Sequence, residues 1–217
     1  MKTNNVFLFL LIFLLSCSNS ADTETETADT AVAEELEQTV SMTVLFPELF
    51  QYFNNQDSSF RGDGFESGEA IVKKDSLNYK VDTSQLKKFY AYLLFNADSS
   101  YALDLVSYNY DLVKRNGKMI MQELGPDFEA SIVDIKNAER KRLLFFGPSG
   151  AGILDAKWED ATTLVMAGEM NGTPHDSLRP VMWKYNVKDK ALQQFNYPNL
   201  IKARWSQYPK KVYELNK

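Results

Sequence analysis

Cysteine is almost missing from this chain: Cys17 is the only one in 217 residues. A single thiol excludes an internal disulfide, so the fold must rest on a packed core. Histidine also occurs once, at His175, which excludes a multi-histidine zinc site. After Leu15 no apolar run approaches the roughly 20 residues that a membrane-spanning helix needs. Basic residues are not in excess, with 24 Lys and Arg against 29 Asp and Glu, and this argues against a nucleic-acid partner. Two catalytic signatures are missing as well. Gly147-Pro148-Ser149-Gly150-Ala151-Gly152 starts like a phosphate-binding loop, but Ile153 and Leu154 stand where lysine and a hydroxyl residue are required. No Gly-x-Ser-x-Gly elbow occurs. Neither a nucleotide nor another cofactor is expected.

What is present begins with "MKTNNVFLFLLIFLLSCSNS", in which Lys2 precedes an apolar run from Val6 to Leu15 and small polar residues follow. This has the layout of a secretion leader over residues 1–16. Leu14-Leu15-Ser16-Cys17 resembles the lipobox of bacterial lipoproteins. That resemblance implies a diacylglycerol on Cys17, cleavage before it, and attachment to the membrane through the acyl chains, two or more of which give lasting anchorage. The expected location is the outer membrane of the cell envelope.

Residues 17–40 then carry seven acids (Asp22, Glu24, Glu26, Asp29, Glu34, Glu35 and Glu37), no base and no aromatic residue. Mutually repelling charges with little apolar surface predict an extended, solvated tether. Acidic tethers of this kind resemble the surface-export signal of Bacteroidetes lipoproteins, although here the acids start only at Asp22. Both the periplasmic and the cell-surface face therefore stay open. Without Lys2 and the seven tether acids, the 24 bases and 29 acids of the whole chain fall to 23 and 22, so the body is almost neutral.

Residues 41–217 suit one domain, since no second linker or composition break divides them. Pro47 opens a predicted helix with Leu45, Leu49, Phe50 and Phe53 on one side and an end at Asn54-Asn55. No base lies between Ser41 and Phe60, so this helix is expected to pack on a sheet and not on a membrane. From about Phe60 onward, short aromatic and β-branched runs alternate with Gly, Pro, Asn and Asp clusters, the pattern of antiparallel strands. The expected fold is mainly β: a meander forming propeller-like blades, an open sheet or a sandwich, with an up-and-down lipocalin-like barrel as the alternative. "SQLKKFYAYLLFN" fits a helix capped by Ser84, yet the alternation from Phe89 to Phe95 favours a strand. Ile153 to Tyr197, with its aspartate-bearing turn after Trp158, resembles one four-stranded β-propeller blade, and Tyr101 to Phe146 has room for another.

The expected function is a noncatalytic binding or structural module of the envelope, with a glycan or an envelope protein as its partner. Trp158, Trp183 and Trp205 are the candidate ligand contacts, because sheet proteins bind such partners through aromatic faces. Asp63 and Glu66, in the acid-rich "DSSFRGDGFESGE", are the candidate metal ligands. The rival reading is an envelope hydrolase drawing on Ser149 or Ser177, His175 and a carboxylate. Lys202, Arg204, Lys210 and Lys211 mixed with Trp205, Tyr208 and Tyr213 read as a closing strand with aromatic residues inward and bases in water.

Overall fold

The computed structural model describes residues 41–70, 78–148, 151–173 and 176–202. The body is mainly antiparallel β-sheet with a few short helices. Chain order begins with α1 (Met42–Leu45) and α2 (Pro47–Gln56), then β1 (Glu66–Ala70) and β2 (Asn78–Lys80). Next come α3 (Thr83–Phe89), a 3-10 turn (Tyr90–Tyr92), β3 (Leu94–Phe95) and β4 (Tyr101–Asp104). The strands β5 (Tyr110–Arg115), β6 (Lys118–Glu123), β7 (Phe128–Asp134) and β8 (Glu139–Phe146) follow. The chain continues through β9 (Ala151–Trp158), β10 (Thr163–Asn171), β11 (Ser177–Asn186), β12 (Ala191–Asn196) and β13 (Ile201–Lys202).

Two open sheets carry the domain. The first runs β1-β12-β11-β10-β9, with β13 extending beside β11; the second runs β2-β8-β7-β4-β3. Each is a meander whose last hairpin strand is joined on its outer edge by a strand from earlier in the chain. Neither sheet closes on itself, which excludes the barrel alternative. The blade-like segment from Ile153 to Tyr197 is the β9 to β12 meander. In Tyr101 to Phe146 only β4, β7 and β8 enter the second sheet, because β5 and β6 leave it as a separate hairpin.

Side-chain carboxylates and amides close these hairpins by accepting from the backbone ahead of them, which is why Asp and Asn mark the turns. Asp160 Oδ1 accepts from the N–H groups of Thr162 (2.6 Å) and Thr163 (2.7 Å) between β9 and β10. Asn186 does the same for Lys188 and Asp189 between β11 and β12, and Asp134 for Asn137 between β7 and β8. These bonds to the anion hold the Asp160 carboxyl down to about 2.

The first sheet is buried on both faces, so β10 reads as an almost unbroken apolar run. Val165 and Ala167 face the helices, where Met42, Phe46, Leu49 and Phe53 meet Leu154, Met182 and Phe195. Leu164 and Met166 face the second sheet, with Trp183, Tyr185 and Val181 against Leu103, Ile132 and Leu144. Fully burying a side chain such as Phe53 or Leu164 contributes on the order of 2–3 kcal/mol. Among the described residues both cores draw on the stretch between Met42 and Ile201.

Two local expectations differ from what forms. The N-terminal helix runs through Asn54 and Asn55 to Gln56, with the Asp57 N–H closing it on Phe53 O. The segment expected as a strand around Phe89 is helical up to that residue. Its cap is Asp82, whose carboxylate accepts from Ser84 N at 2.8 Å, and Phe89 and Leu93, four apart, are both buried. The cap starts a helix that a period-2 pattern does not prevent, the 3-10 turn carries it to Tyr92, and of the expected strand only Leu94–Phe95 forms.

Candidate functional site

The outer face of the second sheet carries a charged layer instead of an apolar one. Register across β4, β7 and β8 places Asp104, Ser131 and Arg142 in one row, with Arg140 and Tyr79 paired nearby. Asp104 and Arg140 form an ion pair with side chains only 1% and 4% exposed. Asp104 Oδ1 also accepts from the N–H groups of Val106 and Ser107, both at 2.9 Å, and Oδ2 accepts from Ser107 Oγ at 2.6 Å. Glu129 is equally buried. Its Oε2 accepts from Nε of Arg142 at 2.6 Å and forms an ion pair with Nη2 at the same distance, while Oε1 accepts from Ser131 Oγ (2.5 Å) and Tyr79 OH (3.2 Å). Charges withdrawn from water stabilise a fold only when their lone pairs are filled in this way. In this layer Arg140 Nε is a buried N–H with no hydrogen-bond partner.

Three aromatic rings sit on this layer. Arg142 Cζ lies 4.8 Å from the Phe145 ring centroid and 6.0 Å from that of Tyr108, and the two rings meet edge to face at 6.0 Å. The Arg140 guanidinium lies 5.9 Å from the Tyr79 ring. Tyr79, Tyr108 and Phe145 are 41%, 39% and 39% exposed, so each shows part of its ring to solvent. Burial raises the Tyr79 hydroxyl above its ordinary value and Glu129 adds to this, while Arg140 opposes it. The hydroxyl therefore stays a neutral donor at physiological pH. Strand hydrogen bonds and ion pairs hold the rings and guanidinium groups in place, so this face is already ordered.

A β-bulge makes this arrangement. Ala130 pairs with Leu144 and Ser131 with Arg142, leaving Leu143 as the extra residue. Arg142 and Phe145, three apart, thus share a face that plain alternation would deny them. Sequence reading missed Phe145 for this reason, and Tyr79 and Tyr108 because they come from separate parts of the chain that only the fold brings beside the arginines. The available signal was an Arg and aromatic residues within a few positions along "ERKRLLFF".

Other concavities lie elsewhere. On the first sheet a groove of about 370 Å³ is lined by Glu66, Ser67, Met170, Asn171, Arg179, Gln194 and Asn196. A cleft of about 230 Å³ forms where Gly147, Pro148 and Gly152 approach Tyr110, Glu123, Asp127 and Glu169. β9 begins at Ala151, so a strand follows that glycine loop where a phosphate site would need a helix.

The tryptophans are not on the platform. Trp183 is completely buried between the sheets, its indole N–H donating to Gln194 Oε1 at 2.9 Å, and this withdraws it as a ligand contact. Its position on β11 between Val181 and Tyr185 gives it the core-facing parity. Trp158 is half-buried and donates to Leu94 O at 2.9 Å. Trp205 lies outside the described residues, as do Cys17, Ser149 and His175. Ser177 is buried at the start of β11. Asp63 is exposed, while Glu66 lines the groove on the first sheet. Among the described residues no three His, Cys, Asp or Glu side chains are grouped to hold a metal ion.

The fold is thus that of an antiparallel β protein of two open, face-packed sheets. Comparison with protein-family models, curated proteins and solved structures finds no match to this chain.

Proposed function

We propose that the protein is a lipoprotein held at the outer membrane through Cys17, whose β domain is a noncatalytic module that binds a glycan or peptide. The observation that supports a binding role is the set of part-exposed Tyr79, Tyr108 and Phe145 rings locked around Arg140 and Arg142. Aromatic faces stack on sugar rings and peptide planes, guanidinium and phenol groups hydrogen-bond at their rims, and Tyr and Arg are over-represented where binding energy concentrates. Anchorage rests on the lipobox-like Leu14 to Cys17 and on the leader before it.

Glycan and peptide arrays probed with the chain from Ser18 to Lys217 test the binding role. At least one ligand class should be retained, and Tyr108→Ala with Phe145→Ala should weaken it by about tenfold or more, as truncation of an aromatic hot spot does. Blank arrays, or binding indifferent to both substitutions, would overturn the platform. Intact-mass measurement of membrane fractions tests the anchor separately: a chain beginning at Cys17 should carry the added mass of its acyl groups, and an unmodified one would refute anchorage.

A further inference from the structure

The β5–β6 hairpin pairs only with itself among the described residues. Asn116 and Gly117, at φ 51° and 79°, form its tight turn, a conformation that these two residue types adopt most readily. Its charges are sorted along its length. Asp111 and Glu123 stand at the base, Asp111 paired with Lys88 of α3. Between them, Leu112 to Gln122 contains Lys114, Arg115 and Lys118 and no acid. These three bases bracket the turn, with Arg115 opposite Lys118 and Lys114 opposite Met119. Directly behind them Met119 is 56% exposed and Ile120, paired with Val113, is 36% exposed.

From this juxtaposition of a basic tip with uncovered apolar side chains, we infer that the hairpin is a membrane-contacting arm whose tip enters the headgroup region of an anionic bilayer. Lipid phosphates meet Lys118 and Lys114 at the tip, with Arg115, which also donates to Gln122 Oε1 at 3.0 Å, beside them, while Met119, level with Lys114, and Ile120, one pair further from the turn, lie against the headgroup region. Only the tip enters, so the hairpin's open edges stay in the hydrated zone and keep water as their partner. Self-association is the rival that the test separates, since an antiparallel two-fold pairing of these hairpins would set the bases of one copy against Glu123 of another. For a nearby membrane the inference rests on the anchored reading above, and it gives the lipidated chain a second point of attachment.

The experiment uses Ser18 to Lys217, which contains all the described core residues but neither leader nor acylated cysteine, in flotation with defined vesicles. Binding to phosphatidylcholine vesicles containing phosphatidylglycerol is expected, with little binding to pure phosphatidylcholine. The triple variant Lys114→Glu/Arg115→Glu/Lys118→Glu should bind at least about tenfold more weakly, and high salt should do the same. Near-UV circular dichroism checks that this surface variant keeps its fold. Tryptophan introduced as Ile120→Trp should shift its emission to the blue on vesicle addition, whereas Val44→Trp, on α1, should not. Absence of binding to anionic vesicles, binding unaffected by charge reversal, or a concentration-dependent dimer lost on Met119→Ser/Ile120→Ser would overturn the arm. Vesicle binding with blank ligand arrays refutes the platform alone, and the reverse result refutes the arm alone.

Discussion

At Glu129 three hydrogen bonds, from Arg142, Ser131 and Tyr79, and the Arg142 ion pair converge on one buried carboxylate. Glu129→Ala would strand the Arg142 guanidinium beside two aromatic rings and leave Ser131 Oγ without its acceptor. Removing one partner of a buried pair costs about 3–5 kcal/mol; since Arg142 can still reach water, the loss should fall near 3 kcal/mol. Urea unfolding of the variant reads this directly, and a loss under about 1 kcal/mol would mean that the pair is held by its surroundings and adds little itself. None of this was legible from residue identity. Asp104, Glu129, Arg140 and Arg142 are ordinary members of a near-neutral body, and only register brings them together. Trp183 shows the converse. As a large aromatic residue it qualified equally for a ligand face or a core, and its strand parity decided for the core.

Among the elements, β10 depends on a close approach that only glycine permits. A Cβ on Gly168 would stand 2.0 Å from Gly152 O of β9. The obstacle is backbone, not the end of a mobile side chain, and the Leu154 bulge lies beside it. Gly168→Ala should therefore destabilise the domain by about 2–3 kcal/mol, as overpacking in a tight core does, and thermal unfolding would show it as a lowered Tm. An unchanged Tm would mean that β9 moves aside freely. Strand existence was readable in sequence because turn residues and apolar runs are local signals. The bulges at Leu143 and Leu154 were not, since an extra residue is defined only against a partner strand. For α3, the Asp82 cap was visible one turn ahead of the ambiguous segment, but the burial of Phe89 and Leu93 was decided by tertiary packing.

For the domain as a whole, stability should form a plateau with two limits. Asp57, Asp82, Asp98 and Asp160 are all held below the ordinary carboxylate value, chiefly by hydrogen bonds from nearby Ser and Thr groups, with Asp160 at about 2. A carboxyl whose folded value is depressed adds stability above its unfolded value, and that contribution is lost as pH falls from about 4 towards 2. Burial pushes Tyr185 up to about 12 and raises Tyr79 as well. A tyrosine raised in this way favours the fold below about pH 10 and ceases to do so as pH climbs towards 12. Denaturant titrations across pH should show both declines, and Tyr185→Phe should flatten the alkaline one; an unchanged alkaline slope would assign it to other groups.

Several properties follow from the amino-acid sequence by itself: the leader-like opening and single cysteine, the acidic stretch before the body, the lack of an internal disulfide, and a chain committed to antiparallel strands. These rest on composition and on short-range patterns, which need no partner to be expressed. Tertiary structure alone decided that the meanders stay open and pack face to face, that β5 and β6 leave their sheet, and that Tyr79, Tyr108 and Phe145 surround two arginines. Each of those outcomes depends on which strand lies beside which and in what register, and register is set by burial across the whole domain, far beyond the reach of any local run of residues.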